Sequence, residues 1–412
     1  MNAVGIDVSK GKSTIAVMRP FGEVVCSPFE ISHTGSELSE LARTLKSLPG
    51  ETRVVMEYTG YYHAPVAQVL CDAGIYVSAV NAMLVHDYGN NSLRRAKTDR
   101  KDAIKLANYA LDHWLTLPQY RPTEDTRLML KTCHRQHEQF VKVRTMQKNN
   151  LISLLDSFYP NANRLFTSPP RPDGSEKWAD FVMQFWHCKC VSELSANAFT
   201  QRYEKWCRKH GYKFSAKKAL EIHEAAGASV SVMPKSDATK FLVQQAVSQL
   251  RASSSTLAAL QKQMQALAET LPEYPVVMGM YGVGSVLGPQ LMVEIGDVRR
   301  FHSKKALVAF AGIDAPPYQS GQIDVRSRSI SKRGSSSLRR TLFLIMGVIL
   351  QNAPSDEPIY QFMSKKRSEG KPYKVYMMAS ANKFLRIYYA TVKAYLDSTK
   401  LYPRKWTHII RG

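Results

Sequence analysis

Four acidic side chains in the first quarter of the chain are candidates for binding divalent metal. Asp7 ends a short apolar run, Glu57 lies near the end of another, and Asp99 and Asp102 stand three residues apart in KTDRKDA. Residues three apart lie on one face of a helix, so the last two could point the same way. Carboxylates in such sets hold pairs of Mg²⁺ ions in enzymes that cut phosphodiester bonds. The pattern predicts two-metal chemistry on a nucleic acid, although each acid alone would fit an ordinary turn or cap.

Basic residues interleave with these acids. Lys97, Arg100 and Lys101 alternate with Asp99 and Asp102. Lysine and arginine side chains bind phosphate oxygens and position a nucleic acid without reading its sequence. The alternative is a set of solvated charges on a helix surface. We predict that the three cations hold the phosphates beside the metal.

A second group of candidate nucleic-acid contacts lies in the C-terminal half. Gly282 and Gly284 suit a tight turn whose amides could face a phosphate at a helix N-terminus, although a plain turn between helices fits equally well. Segment 301–340 combines cations with serine and glycine, which favours phosphate binding over a solvated basic loop. Its candidate contacts are Lys304, Lys305, Arg326, Arg328, Lys332, Arg333, Arg339 and Arg340. Spacing alone does not distinguish Ser320, in YQSG, from the serines around it.

Four soft or borderline metal ligands occur in the middle of the chain, namely Cys188, Cys190, Cys207 and His210. Zinc accepts sets of three thiolates and one imidazole. The first two cysteines are closer in sequence than a usual C-x-x-C pair, and His187 competes as a ligand. A structural zinc site is therefore a hypothesis, with buried or idle thiols as the alternative.

The charge of the chain restricts its partners. Lysine and arginine number 56 against 34 acidic residues in 412, giving a formal net charge of +22. A bound polyanion would relieve self-repulsion on this scale, which predicts a nucleic-acid partner. No apolar run reaches the roughly 18 residues of a membrane span, and the N-terminus lacks the pattern of a signal peptide. With its six scattered cysteines, the protein is expected in the cytosol, away from membranes.

The N-terminal domain, residues 1–120, must position the four acids. Its apolar patterns predict the order βββαβαβα, which is typical of RNase H-like domains, including RuvC-like ones. In that topology the first and fourth strands are neighbours, so Asp7 and Glu57 would meet the helix-borne acids at one edge of the sheet. The predicted strands are 3–8, 13–19, 23–31, 53–59 and 76–82, and the predicted helices are 36–48, 63–73 and 98–111.

The rest of the chain predicts helical structure, so the fold class is α/β plus α. Segments 121–157 and 236–272 read as long amphipathic helices that could pair as an antiparallel coiled coil or dimerise. Between them, 158–235 is an irregular, basic and aromatic segment, which we interpret as an inserted subdomain. A mainly helical C-terminal domain is predicted over 273–395, followed by a basic tail, 396–412.

Six motifs together resemble one known family. They are GIDVSK, MEYTGYY, KTDRKDA, YGVGSVLGPQLMVEIGD, FAGIDAPPYQSG and SKRGSSSLRR. The chain is similar to the insertion-sequence one-ten transposases, which are bridge-RNA-guided recombinases related to the pilin-gene invertase. The resemblance runs through about 1–150 and 236–390, and it leaves out 158–235.

The resemblance implies a role for each motif. The family's four acids fall on Asp7, Glu57, Asp99 and Asp102, and its nucleophilic serine, in a Tyr-x-Ser-Gly motif, falls on Ser320. The implied activity is RNA-guided DNA transposition or recombination through a covalent phosphoserine link, with the carboxylates of one protomer facing the serine of another. The implied partners are double-stranded donor and target DNA, a structured guide RNA and further copies of the chain, as a dimer or tetramer. The implied place is the prokaryotic cytosol, near the nucleoid.

Other functions stay open at this point. A RuvC-like Holliday-junction nuclease would use the same acids, but it needs neither Ser320 nor the C-terminal domain. A site-specific invertase would act without guide RNA. An actin-like ATPase or sugar kinase shares the opening strands, yet its second phosphate loop is not evident. A non-catalytic nucleic-acid-binding protein would leave four acids in a basic chain without a role.

Overall fold

The chain forms two compact units, Met1–Glu124 and Asp125–Gly412. The computed structural model describes residues 1–58, 60–88, 98–120, 124–315, 319–320, 323–324 and 329–401, with the backbone alone for 83, 87, 319–320, 323–324 and 400–401. The first unit is a mixed α/β layer structure, and the described part of the second is mostly helical. Among the described residues, no helix combines the length and apolar character that a membrane crossing requires.

The first unit is built on a mixed five-stranded sheet, which confirms the five predicted strands. Its spatial order is β3-β2-β1-β4-β5. Strand β1 runs antiparallel to β2 and parallel to β4, and β4 is parallel to β5. The strands are β1 (Asn2–Val8), β2 (Lys12–Met18), β3 (Val24–Ser32), β4 (Thr52–Glu57) and β5 (Tyr76–Val80). The helices are α1 (Gly35–Ser47), α2 (His63–Asp72), α3 (Ala82–Asp87) and α4 (Asp99–Asp112).

The two faces of the sheet are covered by different helices. Successive side chains of a strand point to opposite faces. Val4 and Ile6 of β1 pack in one core with residues of α1 and α2, whereas Ala3 packs with Leu106 and Ala110 of α4 in another. Even-numbered and odd-numbered residues of β1 therefore lie on opposite faces of the sheet, and the same alternation assigns each residue of β4 to a face.

Helix α4 lies unusually close to the sheet at Gly5. A Cβ atom at Gly5 would stand 2.0 Å from the backbone oxygen of Ala103, so only glycine fits at this crossing. Because Ala103 lies over Gly5 while Ala110 packs near Ala3, α4 runs against the direction of β1. The N-terminus of α4 is therefore at the carboxyl end of β1.

The second unit is organised around two long helices, α5 (Asp125–Phe158) and α10 (Asp237–Glu269). They pack antiparallel, since Leu130 shares a core with Met264 and Arg144 donates a 2.9 Å hydrogen bond to the hydroxyl of Ser254. The pairing matches the expected antiparallel arrangement, while a supercoiled coiled coil stays a prediction.

The inserted subdomain, residues 158–235, is helical rather than irregular, which corrects the sequence interpretation. Its helices are α6 (Lys177–Gln184), α7 (Lys189–Ser192), α8 (Ala196–His210) and α9 (Ala216–Ala228). Phe199, Tyr203 and Trp206 are fully buried at a helical spacing of four and three. The frequent aromatic residues, taken as a sign of irregularity, are the core of this subdomain.

The C-terminal part of the second unit is mainly helical, as predicted. Its elements are α11 (Tyr274–Met278), α12 (Leu287–Ile295), α13 (Lys304–Ala311), β6 (Gln319–Ser320), β7 (Ile323–Asp324), α14 (Ser336–Asn352), α15 (Pro358–Ser368) and α16 (Tyr373–Leu401). Helix α14 buries Leu342, Ile345 and Ile349, and α16 buries Leu385 and Tyr388 against the same core. Helix α16 continues past the expected start of the basic tail, of which residues 402–412 lie outside the described residues.

Candidate catalytic site

Asp7 and Glu57 lie side by side at the carboxyl edge of the sheet. Strands β1 and β4 are parallel neighbours whose register pairs Ile6 with Met56, so each acid follows a paired residue. Asp7 shares strand parity with Gly5, and Glu57 with the buried Val55, so both belong to the face that α4 covers. Both side chains are half-buried. The sheet therefore brings together the first two predicted acids.

Asp99 and Asp102 occupy the first turn of α4. The hydroxyl of Thr98 accepts a 3.3 Å hydrogen bond from the Lys101 amide and caps the helix. Acidic residues are favoured in this turn because of the helix dipole. The pKa of Lys12 on β2 is raised chiefly by its hydrogen-bonded partner Glu30 and also by Asp99, so the N-terminus of α4 lies close enough to this edge to act electrostatically.

All four acids thus share one end of the first unit, as expected from the RNase H-like order of its elements. Their donor set consists of oxygen atoms alone, which fits the hard cation Mg²⁺. Among the described residues, no group of three or more His, Cys, Asp or Glu side chains is close enough to hold a metal ion. The acids therefore stand as two pairs, one on neighbouring strands and one on α4, rather than as a closed set of ligands.

The cations next to the acids are only partly described. Arg100 and Lys101 are exposed on the first turn of α4. Lys97 lies outside the described residues. Contact of these cations with phosphate stays a prediction.

The zinc hypothesis is wrong for the described chain. Cys188, Cys190, Cys207 and His210 all lie in the described region, where no three such ligands come together. Cys188 and Cys207 are buried in the aromatic core of the inserted subdomain, and the ring of His210 packs on Trp206. Burial raises the pKa of the Cys207 thiol, which disfavours the thiolate that zinc requires. Cys188 and Cys207 are core residues instead.

The glycine turn between α11 and α12 has a packing role. Gly282 has a φ of +80°, and a Cβ atom there would stand 2.7 Å from Cγ1 of Ile349. Gly284 has open space around it. Gly282 is thus needed for the left-handed turn and for the close approach of this turn to α14. Both features agree with an ordinary turn between helices. Phosphate contacts at the backbone amides of Gly282 and Gly284 stay predictions.

The basic segment after β7 folds back on the end of α13. Gly312 ends that helix in the left-handed conformation, and the amide of Lys332 donates to its carbonyl. The guanidinium of Arg339 donates hydrogen bonds of 3.0 and 3.1 Å to the carbonyls of Ala311 and Gly334. Arg339 was predicted to contact nucleic acid, but in the structure these two bonds engage it with the backbone.

The other predicted cations of residues 301–340 are exposed to solvent where they are described. Lys304, Lys305, Lys332, Arg333 and Arg340 are exposed. Arg326 and Arg328 lie outside the described residues, and for Ser320 the structure gives only the backbone of β6. Their contacts with nucleic acid stay predictions.

Sequence reasoning missed a buried polar network around Glu294 of α12. One carboxylate oxygen of Glu294 lies 2.9 Å from Nη2 of Arg135 and 3.3 Å from Nε2 of His134, and the other accepts a 2.7 Å hydrogen bond from Ser335. Burial opposes ionisation of Glu294, but these neighbours outweigh it and lower its pKa to about 2. The network ties α5 and α12 to the residue that caps α14. In the sequence, an acidic residue within the apolar run LMVEIGD could have indicated a buried, paired carboxylate.

Glu294→Gln should lower the free energy of unfolding at pH 7 by roughly 3 kcal/mol, because the folded state favours the carboxylate by about two pKa units or more. A lowered folded-state pKa stabilises the fold above the unfolded value, near 4.5, and this contribution fades as pH falls towards 2. Urea unfolding followed by circular dichroism between pH 7 and pH 3.5 should show the difference from the unsubstituted protein narrowing. Asp356→Asn, at an exposed position, is the control, and an equal, pH-independent effect of both would contradict the prediction.

Two family models match the chain. A model of the DEDD domain of IS110 elements, described as a transposase, matches residues 4–160. A second, described as the transposase IS116/IS110/IS902 family, matches residues 274–361. The first contains all four acids, and the second contains Glu294, Ser320 and the basic segment.

Similar proteins cover nearly the full length. A 43.6 kDa protein of insertion element IS110 from Streptomyces coelicolor is 23% identical over 392 residues, covering 95% of this chain and 93% of that protein. A 44.8 kDa protein of insertion element IS116 from Streptomyces clavuligerus is 24% identical over 95% of this chain and 94% of its own length. The pilin gene-inverting protein of Moraxella bovis is 23% identical over 82% of this chain and 80% of its own length.

The mixed sheet with its edge of carboxylates, the helical second unit and these matches define a DNA transposase or recombinase. Within that class, the chain belongs to the IS110 transposase family. The matches give no support to the actin-like ATPase or sugar kinase alternative.

Proposed function

We propose that this transposase cuts and rejoins DNA with a metal-binding set of carboxylates and a serine nucleophile. The carboxylates are Asp7, Glu57, Asp99 and Asp102, and the nucleophile is Ser320. The observation that carries the proposal is that two of the acids lie side by side on β1 and β4 while the other two begin the helix that packs over that face. The strand order β3-β2-β1-β4-β5 supports assigning the first unit to the RNase H-like, RuvC-like class.

The carboxylates would hold Mg²⁺ in a two-metal arrangement. Bound divalent cations stabilise negative charge on the attacking and leaving oxygens of a phosphodiester. The protein's own part is to keep Asp7 and Glu57 half-buried and adjacent, and to place Asp99 and Asp102 at the same end of the sheet on a helix that Gly5 allows to pack closely. Arg100 and Lys101, exposed beside those aspartates, would bind the neighbouring phosphates.

Ser320 would carry the covalent step. Its hydroxyl oxygen attacks the phosphorus, the hydroxyl proton is lost, and a phosphoserine ester forms while one deoxyribose oxygen leaves and takes up a proton. The ester conserves the energy of the broken bond, so a hydroxyl of the partner strand can reverse the step without ATP. The match to the Tyr-x-Ser-Gly motif supports this role, and the position of Ser320 within the second family match agrees with it.

The partners of the proposed reaction are two polyanions. Double-stranded donor and target DNA are the substrates, and a structured guide RNA selects them by base pairing. The net charge of +22 and the exposed cations of the segment after β7 support binding of both. A site shared between the carboxylates of one chain and the serine of another would need at least a dimer, and joining two DNA molecules favours a tetramer. The reaction would take place in the prokaryotic cytosol, at the nucleoid.

Removing divalent metal should stop strand cleavage without releasing the DNA. With guide RNA, labelled DNA and Mg²⁺, we expect cleaved strands, and EDTA should reduce the rate at least about a thousandfold, because the metals supply several kcal/mol of transition-state stabilisation. A mobility-shift assay in EDTA should still show the complex, since cations on the protein provide most of the affinity. Readdition of Mg²⁺ is the control. Full cleavage in EDTA would rule out the metal-dependent mechanism.

Site-specific inversion without guide RNA is the second candidate, favoured by the similarity to the pilin gene-inverting protein. The two proposals differ in their need for RNA. Protein treated with ribonuclease and repurified should lose specific cleavage if RNA guides it and recover cleavage when RNA is returned. Undiminished recombination by RNA-free protein would favour the invertase.

A further inference from the structure

The inserted subdomain contains a cavity that the proposed strand-exchange chemistry does not use. It has a volume of about 280 Å³ and lies between the end of α6, α7, α8 and the segment before α10. Its lining includes Trp186, Lys189, Arg202, Glu193 and Lys235. At about 30 Å³ for each water of liquid volume, the space equals roughly nine waters, a number of heavy atoms comparable to a nucleobase.

The cavity has a positive balance of charge. Its acid, Glu193, is paired with Lys235 at 2.5 Å, which also lowers the pKa of Glu193. Lys189 and Arg202 are exposed at the rim and appear in no ion pair among the described side chains. The paired charges cancel, so the two remaining cations determine the field at the opening. An anionic group is the ligand that this field attracts.

Trp186 provides an aromatic surface in the same cavity. Its indole Nε1 is buried and, within the described part of the chain, has no hydrogen-bond partner. The ammonium of Lys240 lies 5.1 Å from the centre of the ring. A buried indole N–H usually has a partner in a protein that is complete without a ligand. A planar ligand in the cavity would stack on the ring face of Trp186, which lines it.

The cations of the rim continue along α8. Arg202, Lys205 and Lys209 follow one another at spacings of three and four, so they lie on one exposed face of the helix. At 1.5 Å of rise per residue this row is about 10 Å long. The adjoining face of α8 packs in the core of the subdomain through Phe199 and Tyr203. A row of cations leading to an aromatic cavity is the combination that binds single-stranded nucleic acid.

We propose that the inserted subdomain binds single-stranded nucleic acid, with an unpaired base stacked on Trp186 and the neighbouring phosphates on Lys189 and the α8 row. The chemistry required is a flipped or unpaired base with its anionic backbone, which a looped RNA or a displaced DNA strand can equally supply. The site is separate from the acids and from Ser320 in sequence, so it does not depend on the proposed catalytic assignments.

The test measures binding of short labelled single-stranded RNA and DNA to the full-length protein by fluorescence anisotropy in EDTA, where cleavage cannot contribute. Trp186→Leu should weaken binding at least about fivefold, the effect of losing one stacked base, and Trp186→Phe should retain most of it. Lys189→Gln with Arg202→Gln should flatten the slope of log affinity against log salt by about 1.4, the effect of two phosphate contacts.

A matched charge control is available in the same subdomain. Lys213 and Lys217 are exposed and do not line the cavity, so Lys213→Gln with Lys217→Gln removes equal charge elsewhere. Photocrosslinking with 4-thiouridine or 5-iododeoxyuridine, mapped by mass spectrometry, should attach to residues 184–194 in the unsubstituted protein, and the preferred oligonucleotide identifies RNA or DNA as the source. Equal affinity and salt slope in the cavity and control variants, or crosslinks confined to residues outside the subdomain, would overturn the proposal. Surface variants, which leave the core intact, keep the test valid if Trp186→Leu fails to fold.

Discussion

Asp7→Asn is expected to abolish metal-dependent strand cleavage while leaving DNA binding intact. Asparagine keeps the size of the side chain on β1 but removes the charge of a proposed metal ligand beside Glu57, on the face that α4 covers. A loss of about 4 kcal/mol in transition-state stabilisation corresponds to roughly a thousandfold in rate. Single-turnover cleavage of labelled DNA measures the rate, and a mobility shift measures binding. Asp102→Asn should have an effect of the same order, because it removes a proposed ligand from the pair of acids on α4.

The control for the acid variants is Glu40→Gln, which removes one negative charge from an exposed position on α1. That helix packs on the other face of the sheet, so the substitution should leave the cleavage rate within about twofold, the scale of a surface charge far from a site. Rates for Asp7→Asn and Asp102→Asn indistinguishable from that of Glu40→Gln would show that the acids do not act in cleavage. Loss of DNA binding in parallel with cleavage would instead assign them to folding or binding.

Ser320→Ala is expected to eliminate the covalent link between protein and DNA. Alanine lacks the hydroxyl oxygen that would become bonded to phosphorus, so no phosphoserine ester can form. Labelled DNA incubated with protein, guide RNA and Mg²⁺ should migrate with the unsubstituted protein on a denaturing gel and should run free with the variant. Mass spectrometry of the trapped adduct should place the added nucleotide on the peptide that contains Ser320.

The matched control is Ser329→Ala, at an exposed serine in the same segment. It should form the adduct at the unsubstituted level. An adduct that persists in Ser320→Ala, or one that is lost in Ser329→Ala alone, would move the nucleophile elsewhere. The serine and acid variants also separate two mechanisms: a Holliday-junction nuclease would lose cleavage in Asp7→Asn and keep it in Ser320→Ala.

The N-terminal unit could be predicted closely from sequence because its signals are local. Short apolar runs bounded by Gly, Pro and Lys give strands, and the five predicted ones occur within one or two residues of the observed bounds. The meander of β1, β2 and β3 follows from the short turns between them. The pairing of β1 with β4 followed only from the likeness of the element order to a known topology, since no local feature specifies which strands become neighbours.

The inserted subdomain shows where local patterns mislead. Its Pro-rich start and dense aromatic residues resemble an irregular segment, yet Phe199, Tyr203 and Trp206 fall on the buried side of one helix. The zinc hypothesis failed for a related reason, because Cys207 lies on that same side and is enclosed by the core. Spacing along the chain does not reveal which way a helix faces until a partner surface is known.

Sequence alone predicted the candidate chemistry of this protein, from four acids, an excess of basic residues and the motifs of the IS110 family. These features depend on residue type and on short spacings, which can be read from the sequence. Tertiary structure decided the assignments that depend on distant neighbours. Glu294 contacts His134, Arg135 and Ser335, which come from distant segments. Arg339 donates hydrogen bonds to the carbonyls of Ala311 and Gly334. Trp186 lines a cavity formed by several helices. Whether a charged side chain stabilises the fold or binds substrate depends on the residues packed beside it. Those neighbours come from segments far apart in the chain.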